Sequence, residues 1–207
     1  NERKCGSFGL ISTLSFYANK HITSGEGGAV LTDNKEIFDE IVKIRNLDFN
    51  SSERFIHDNL YWNYRLSGLQ AAFGNSSIKS IDKVIRTKIK KAKVYNNLFS
   101  DYKDILQIPL VELSGVKNHY WVYGIIPKTN IDRKKIMSSL YDLGIETRPF
   151  FYPLNKQPAY IKLNKDASSC PVSEEIGEKG FYIPIGSHVK ANQQKQIVEN
   201  IINLIKN

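Results

Sequence analysis

The spacing of apolar positions along the 207-residue chain changes several times, and each change predicts a different element. Residues 6–33 are glycine-rich and broken into short apolar pieces at 8–10, 14–17 and 29–32, which predict short strands joined by tight turns. Over 36–45, Ile37, Ile41, Val42 and Ile44 fall at helical spacing behind Asp33 or Asn34, and either can cap the helix by accepting from an early backbone N–H. Residues 47–60 are polar, show no period and predict a surface loop. Leu66, Leu69, Ala72, Phe73 and Ile78 then predict a helix over 65–82. It runs on into a longer one marked by Ile81, Val84, Ile85, Ile89, Ala92, Tyr95 and Leu98.

Beyond Asp101 the elements shorten. Residues 121–127 predict a strand, with Tyr120, Trp121 and Tyr123 as its core packing. Residues 132–143 predict a helix that opens at the cap residue Asp132 and stops at Gly144, and 145–152 predict another strand. The chain closes with an amphipathic helix over 193–205, carrying Ile197, Ile201, Ile202 and Ile205. Strands alternating with helices at this density indicate an α/β fold class. The expected domain boundary lies inside the long helix, giving 1–85 and 86–207. There is no internal repeat and no low-complexity linker.

Composition narrows the function classes. With 41% hydrophobic and 24% charged residues the chain can bury a core in one or two domains, which excludes disordered and collagen-like readings. No apolar run is long enough to cross a bilayer, and no long apolar stretch follows the charged residues 2–4. Neither a membrane span nor a signal peptide is expected, and a cytoplasmic location is. Cys5 and Cys170 form no CxxC or His/Cys cluster, so neither a disulfide scaffold nor a metal site is indicated. A net charge of +8 raises the question of nucleic acid. Its densest cluster, residues 86–93, lies on the amphipathic helix and reads as a solvated lysine face, so no nucleic-acid partner is expected. The field can still draw in a small anionic substrate.

Candidate chemistry sits in residues 15–28, SFYANKHITSGEGG. A lysine between two strands, a hydroxyl before it and a glycine turn behind it are the parts that a pyridoxal 5'-phosphate (PLP) site needs. The Lys20 amine must be held in place and be partly neutral, which burial and nearby cations promote. The cofactor phosphate needs short hydroxyl and backbone N–H donors, and Ser15 with the glycines offers both. On these residues alone the signal is weak, because a lysine in a glycine-rich turn is more often a solvent-exposed turn residue.

The string SFYANKHITSGEGGAVLTD resembles the lysine motif of the DegT/StrS sugar aminotransferase family, with a serine five residues before the lysine and a GEGG turn after it. Asn63-Tyr64-Arg65-Leu66 with Leu69-Gln70-Ala71-Ala72 resembles the family's NYR and LQAA motif. Residues 144–153, GIETRPFFYP, resemble its GI.TRP.F.P strand, and Gln157-Pro158-Ala159-Tyr160 its continuation. The resemblance covers nearly the whole chain. It implies a fold-type I PLP aminotransferase, with 1–85 a remnant of the large-domain sheet and 86–207 a small C-terminal α+β domain.

By that resemblance Lys20 forms the Schiff base with PLP and then moves a proton between substrate and cofactor, while Ser15 binds the cofactor phosphate. Asn63 binds the phosphate of a neighbouring subunit's cofactor, which implies a homodimer or higher assembly. Arg65 is either the partner of a substrate anion or an interface salt bridge. Arg148 either touches the nucleotide sugar or braces the small domain. Tyr152 and Asn155 stand where relatives often carry histidine near the sugar, a departure that bears on sugar specificity alone. The expected substrates are a nucleotide-linked 4-keto-6-deoxy sugar and L-glutamate. SFYANKHITSGEGG and TRPFFYP resemble most the family's perosamine-forming branch, which implies surface-polysaccharide synthesis. The family's dehydratases carry histidine in place of the lysine.

Relatives also carry an N-terminal half that supplies the phosphate loop, the ring-stacking aromatic residue and the aspartate that keeps the pyridine nitrogen protonated. The 207 residues alone are therefore expected to be inactive, and a separate N-terminal chain is a candidate partner. The rival readings are a non-catalytic interaction or structural subunit of this fold, and a polyanion binder acting through the lysine helix.

Overall fold

The computed structural model describes residues 3–49, 53–111, 114–163 and 168–206. The chain divides into two compact units, Asn1–Lys83 and Val84–Asn207.

In the first unit, β1 (Ser12–Ser15) and β2 (Gly28–Leu31) form an antiparallel hairpin with Ser15 opposite Gly28. Residues 8–10, expected as a strand, are not one, and pair with no strand among the described residues. Helix α1 (Lys35–Arg45) opens at Asn34, whose side chain accepts from the Ile37 N–H at 3.0 Å. Helix α2 (Gly68–Lys79) begins later than the spacing predicts, because Ser67 and Gln70 close a reciprocal capping box that sets its start. It stops before Ser80, so the expected continuous helix is two. Among the described residues the only buried ones in this unit are Ser24 and Asp48. Leu60 is 99% exposed and Leu69 86%, and Phe55, Trp62 and Tyr64 are also exposed. Among the described residues no hydrophobic core forms within it.

Helix α3 (Ile81–Leu98) spans the boundary between the units. Beyond it a four-stranded antiparallel sheet runs in the order β3 (Leu106–Gln107), β4 (Tyr123–Pro127), β6 (Phe181–Ile183), β5 (Arg148–Pro149). The remaining helices are α4 (Arg133–Asp142), α5 (Pro158–Leu163), α6 (Pro171–Lys179) and α7 (Ala191–Lys206). Asp132 caps α4 by accepting from the Lys134 and Lys135 N–H groups at 2.9 and 3.1 Å.

Alternation puts Tyr123 and Ile125 of β4 and Phe181 and Ile183 of β6 on one face. They share a single core with Ala92 and Tyr95 of α3, Ile136 and Leu140 of α4, and the isoleucine stripe of α7. The buried phenols are satisfied: Tyr95 donates to the Pro184 carbonyl and Tyr123 to Asn96 Oδ1, each at 2.7 Å. Burial pushes both hydroxyl pKa values up, so these groups stay neutral donors. Buried Gln194 of α7 donates to the Lys91 carbonyl at 3.0 Å and ties α7 to α3.

Candidate active site

Lys20 stands in the loop joining β1 to β2, and that loop is built from its own hydroxyl groups. The Phe16 N–H donates to the Gly27 carbonyl at 2.8 Å, and the Phe16 carbonyl accepts from the Ser24 N–H at 2.9 Å and from Thr23 Oγ1 at 3.1 Å. Thr23 Oγ1 also accepts from the Gly25 N–H at 2.9 Å, while the Ser24 hydroxyl donates to the Glu26 carbonyl at 2.6 Å. A turn from the Lys20 N–H to the Tyr17 carbonyl, 2.9 Å, places the lysine inside this closed frame, where it is half-buried. The loop is pinned to α2 through the Thr23 N–H, which donates to Ser77 Oγ at 3.0 Å. Thr23, Ser24 and Ser77 were not among the expected functional residues. Their only trace in the sequence is the hydroxyl pair ahead of the glycines, and Ser77 leaves none.

The glycines of the GEGG turn have separate reasons. Gly27 has φ +138°, and a Cβ there would lie 2.8 Å from both Leu66 Cδ1 and Ser24 Oγ. Gly28 has ordinary φ, but a Cβ on it would fall 2.6 Å from the Leu14 carbonyl oxygen across the hairpin. A side chain at either position would force the two ends of the lysine loop apart.

Ser15, the last residue of β1, is exposed. Its Oγ accepts weakly from the Tyr17 N–H at 3.4 Å, and its proton goes to no acceptor among the described residues. Asn63 and Arg65 lie together on the segment that returns beside the end of α1. The chain turns there through Leu47 and Asp48, both at positive φ, and Asp48 Oδ2 accepts from the Asn59 backbone and side-chain amides at 2.8 and 2.9 Å. An Asn46–Asn63 bridge and the Tyr64 N–H on the Arg45 carbonyl, 2.9 Å, hold the segment. Asn63 Oδ1 accepts from the Arg65 backbone N–H at 3.3 Å and from its Nε at 2.9 Å. This fixes the Asn63 amide so that its NH2 faces no acceptor among the described residues, and leaves the terminal guanidinium nitrogens of Arg65 with no ion pair there.

Arg148 belongs to the second unit, on β5, exposed and paired with Glu146 two residues before it. Asn155 is structural: it donates to Glu174 Oε1 at 2.8 Å and to the Ser168 carbonyl at 3.1 Å. Glu174 also pairs with Lys156 at 2.7 Å and accepts from the Cys170 N–H at 3.0 Å. The Lys156 ammonium, followed by the Cys170 and Asn155 donors, pulls the Glu174 carboxyl down to about 2. Among the described residues no cluster of His, Cys, Asp or Glu could hold a metal ion, and no helix is long and apolar enough to cross a membrane.

A mixed α/β chain that presents a lysine amine and an exposed serine hydroxyl on one hairpin is built like the PLP-dependent aminotransferases, whose solved structures it matches over about half of their length. The chain belongs to the DegT/DnrJ/EryC1/StrS aminotransferase family, whose family model matches residues 1–202. It is 33% identical to the GDP-perosamine synthase of Vibrio cholerae, over 99% of this chain and 56% of that protein. Its fold is similar to that of Helicobacter pylori PseC, an aminotransferase of pseudoaminic acid biosynthesis, with a TM-score of 0.89 at 23% identity over 100% of this chain and 56% of that one. It is also similar to the Escherichia coli GDP-4-keto-6-deoxy-D-mannose-3-dehydratase, with a TM-score of 0.78 at 20% identity over 97% and 56% of the two chains. The chain spans about half the length of the curated relatives it matches. The family is PLP-dependent, and sugar-nucleotide substrates with a glutamate donor are typical of it.

Proposed function

We propose that this chain is the lysine-bearing part of a PLP-dependent transaminase that converts a nucleotide-linked 4-keto-6-deoxy sugar into its 4-amino sugar, with L-glutamate as donor. The observation that carries the reading is the Lys20 loop, held half-buried by Thr23 and Ser24, pinned to α2 and flanked by the exposed Ser15 hydroxyl. These donors fit a phosphorylated aldehyde: a primary amine in a fixed frame, with a hydroxyl proton uncommitted among the described residues five positions earlier.

Bound PLP supplies an aldehyde that condenses with amines and a ring that takes up an electron pair. Lys20 Nζ would hold the cofactor aldehyde covalently and, when free, its amine would carry the proton between the donor carbon and the sugar C4. Ser15 donates its hydroxyl proton to the cofactor phosphate. The Asn63 NH2, oriented by Arg65, serves the phosphate of a neighbouring subunit, and the outer guanidinium nitrogens of Arg65 take a substrate anion through paired hydrogen bonds. The functional assembly is then at least a dimer. In this reading residues 1–85 are part of the large cofactor domain and 86–207 the small one. Arg148 reaches the nucleotide sugar or braces the small domain through Glu146.

Retention of lysine favours transamination over the dehydratase chemistry, and the match to GDP-perosamine synthases favours GDP-4-keto-6-deoxymannose as the sugar. The test is borohydride reduction in the presence of PLP followed by peptide mass mapping. Hydride should fix the cofactor to Lys20, and the visible absorbance band should vanish in Lys20→Ala. Label on Lys4, Lys35 or another lysine overturns the assignment.

A further inference from the structure

We propose that Trp121 and Phe151, with the recess that opens beside Phe151, form a stacking site for the base of a nucleoside diphosphate whose phosphates meet the ammonium of Lys88. The nucleotide itself is taken from the function proposed above; the site is argued from the second unit alone.

The two rings lie 6.0 Å apart and 20° from parallel, and Phe151 is 64% exposed. Phe151 also forms part of the wall of a recess of about 620 Å3, lined besides by Phe150, Pro171, Val172 and Ile176 and by the polar Cys170 and Ser173. That volume lies in the range of small-molecule sites, and the lining is mostly apolar with a few polar groups, as is usual for such sites.

Both halves of the stack are held from behind. Next to Phe151, the Phe150 ring lies in a slot left open by two glycines: a Cβ on Gly124 would fall 2.2 Å from Phe150 Cζ, and one on Gly180 would fall 2.5 Å from Phe150 Cδ2. The Phe150 N–H donates to the Gly180 carbonyl at 3.0 Å, which fixes the backbone that carries both rings. Before Trp121, Tyr120 is buried at φ +50°, with its N–H on Asn118 Oδ1 at 2.8 Å and its ring stacked on Tyr123. The Trp121 carbonyl accepts from Lys88 Nζ at 3.2 Å. A surface fixed in this way loses little freedom when a flat ring settles on it.

Lys88 gives the site its charge preference. It is half-buried on α3, its bond to the Trp121 carbonyl is its one hydrogen bond among the described residues, and no carboxylate there pairs with it. Two ammonium protons are therefore uncommitted, and burial already lowers the pKa, so the cation is short of stabilisation. An apolar helix or a second copy laid over this surface would bury that ammonium further with no partner, at a cost. A flat ring bearing phosphates covers the aromatic rings and neutralises the cation together, and the chain's net charge of +8 attracts it.

The experiment uses the 207-residue chain carrying Trp62→Phe, which leaves Trp121 as its only tryptophan. Emission is followed while GDP, guanosine or inorganic phosphate is added. GDP should quench saturably, guanosine should quench with affinity weaker by about tenfold or more, and phosphate should displace GDP without quenching. Phe151→Leu, which keeps an apolar side chain of similar bulk, should lower GDP affinity about tenfold through the lost stacking. Lys88→Met should reduce GDP affinity to that of guanosine and leave guanosine binding unchanged, and Lys88→Arg should restore much of the difference. A GDP response absent from a chain with native near-UV circular dichroism, or unaltered in both Phe151→Leu and Lys88→Met, overturns the site. So does concentration-dependent self-association abolished by Phe151→Leu, which would make a second copy the occupant. PLP attachment to Lys20 without any nucleotide response removes this site and keeps the lysine assignment; the reverse pattern removes the lysine assignment and keeps this site.

Discussion

Replacing Gly124 by alanine adds one methyl group where the Phe150 ring already lies, with 2.2 Å between the new carbon and Phe150 Cζ. No non-bonded pair of carbons sits that close, so the ring or strand β4 must move. Forcing a side chain off its place in a packed site costs about 1–3 kcal/mol. With a urea m-value of about 2 kcal/mol/M, that lowers the unfolding midpoint by roughly 0.5–1.5 M. Phe150→Ala removes the ring and should itself cost about 2–3 kcal/mol, less than a fully buried phenylalanine because Phe150 is only part-buried. In that background Gly124→Ala should cost close to nothing, so the pair should couple by about 1–3 kcal/mol. Gly180→Ala is the control: its Cβ meets Phe150 Cδ2 at 2.5 Å but also the Ile176 carbonyl oxygen at 2.6 Å, and that backbone clash survives removal of the ring. The assay is urea unfolding followed by tyrosine and tryptophan signals of the second unit for the single and double variants. An equal cost of Gly124→Ala with and without the Phe150 ring would refute the slot, and with it the account of how Phe151 is aimed.

Glu174 sets a pH dependence. Its carboxyl is held below the unfolded value of about 4.5, so its contribution to stability is complete above that pH and is lost as pH falls towards 2. The gap in urea midpoint between the wild-type chain and Glu174→Gln should close over that window; a gap constant from pH 6 to pH 2.5 counts against the Lys156 and Cys170 contacts. Gly27→Ala should cost about 1–3 kcal/mol of local backbone strain and reduce PLP attachment to Lys20 severalfold in the borohydride assay. Wild-type labelling would show that the lysine loop does not need its tight closure. If Asn63 and Arg65 serve a neighbouring subunit, mixed assemblies of Lys20→Ala and Arg65→Ala chains, supplied with the further polypeptide the reaction needs, should regain up to about a quarter of the activity that wild-type chains show under the same conditions, since half the dimers would be mixed and each would hold one intact site. No recovery on mixing places Arg65 within its own subunit. Finally, because the first unit buries no hydrophobic side chain among its described residues, single-turnover conversion of PLP to pyridoxamine phosphate with L-glutamate should need further polypeptide to cover its apolar faces. Efficient conversion by the 207 residues alone would contradict this.

What the sequence determined by itself was local. The capped helices α1 and α4, the stripe of α7, and the lysine between a serine and a glycine turn depend on residues a few positions apart, where spacing and capping chemistry act directly. Motif order was enough to place the chain in its family before any contact was known. The structure decided what depends on distant partners. The strand expected over 145–152 shrinks to Arg148–Pro149, because Phe150 turns its ring into the slot of Gly124 and Gly180, and neither glycine is near it in sequence. Trp121 leaves the expected strand to stack on Phe151, and its carbonyl is held by a lysine on α3 that the helical pattern reads only as part of a solvated face. The hydroxyl frame of Lys20 closes onto Ser77, which nothing in the local pattern sets apart from the other polar residues of α2. Apolar residues of α1 in the first unit fall at helical spacing as those of α7 do in the second, yet among the described residues only the second unit buries hydrophobic side chains. Periodicity records which face seeks burial, and only the packed chain shows whether anything is there to cover it.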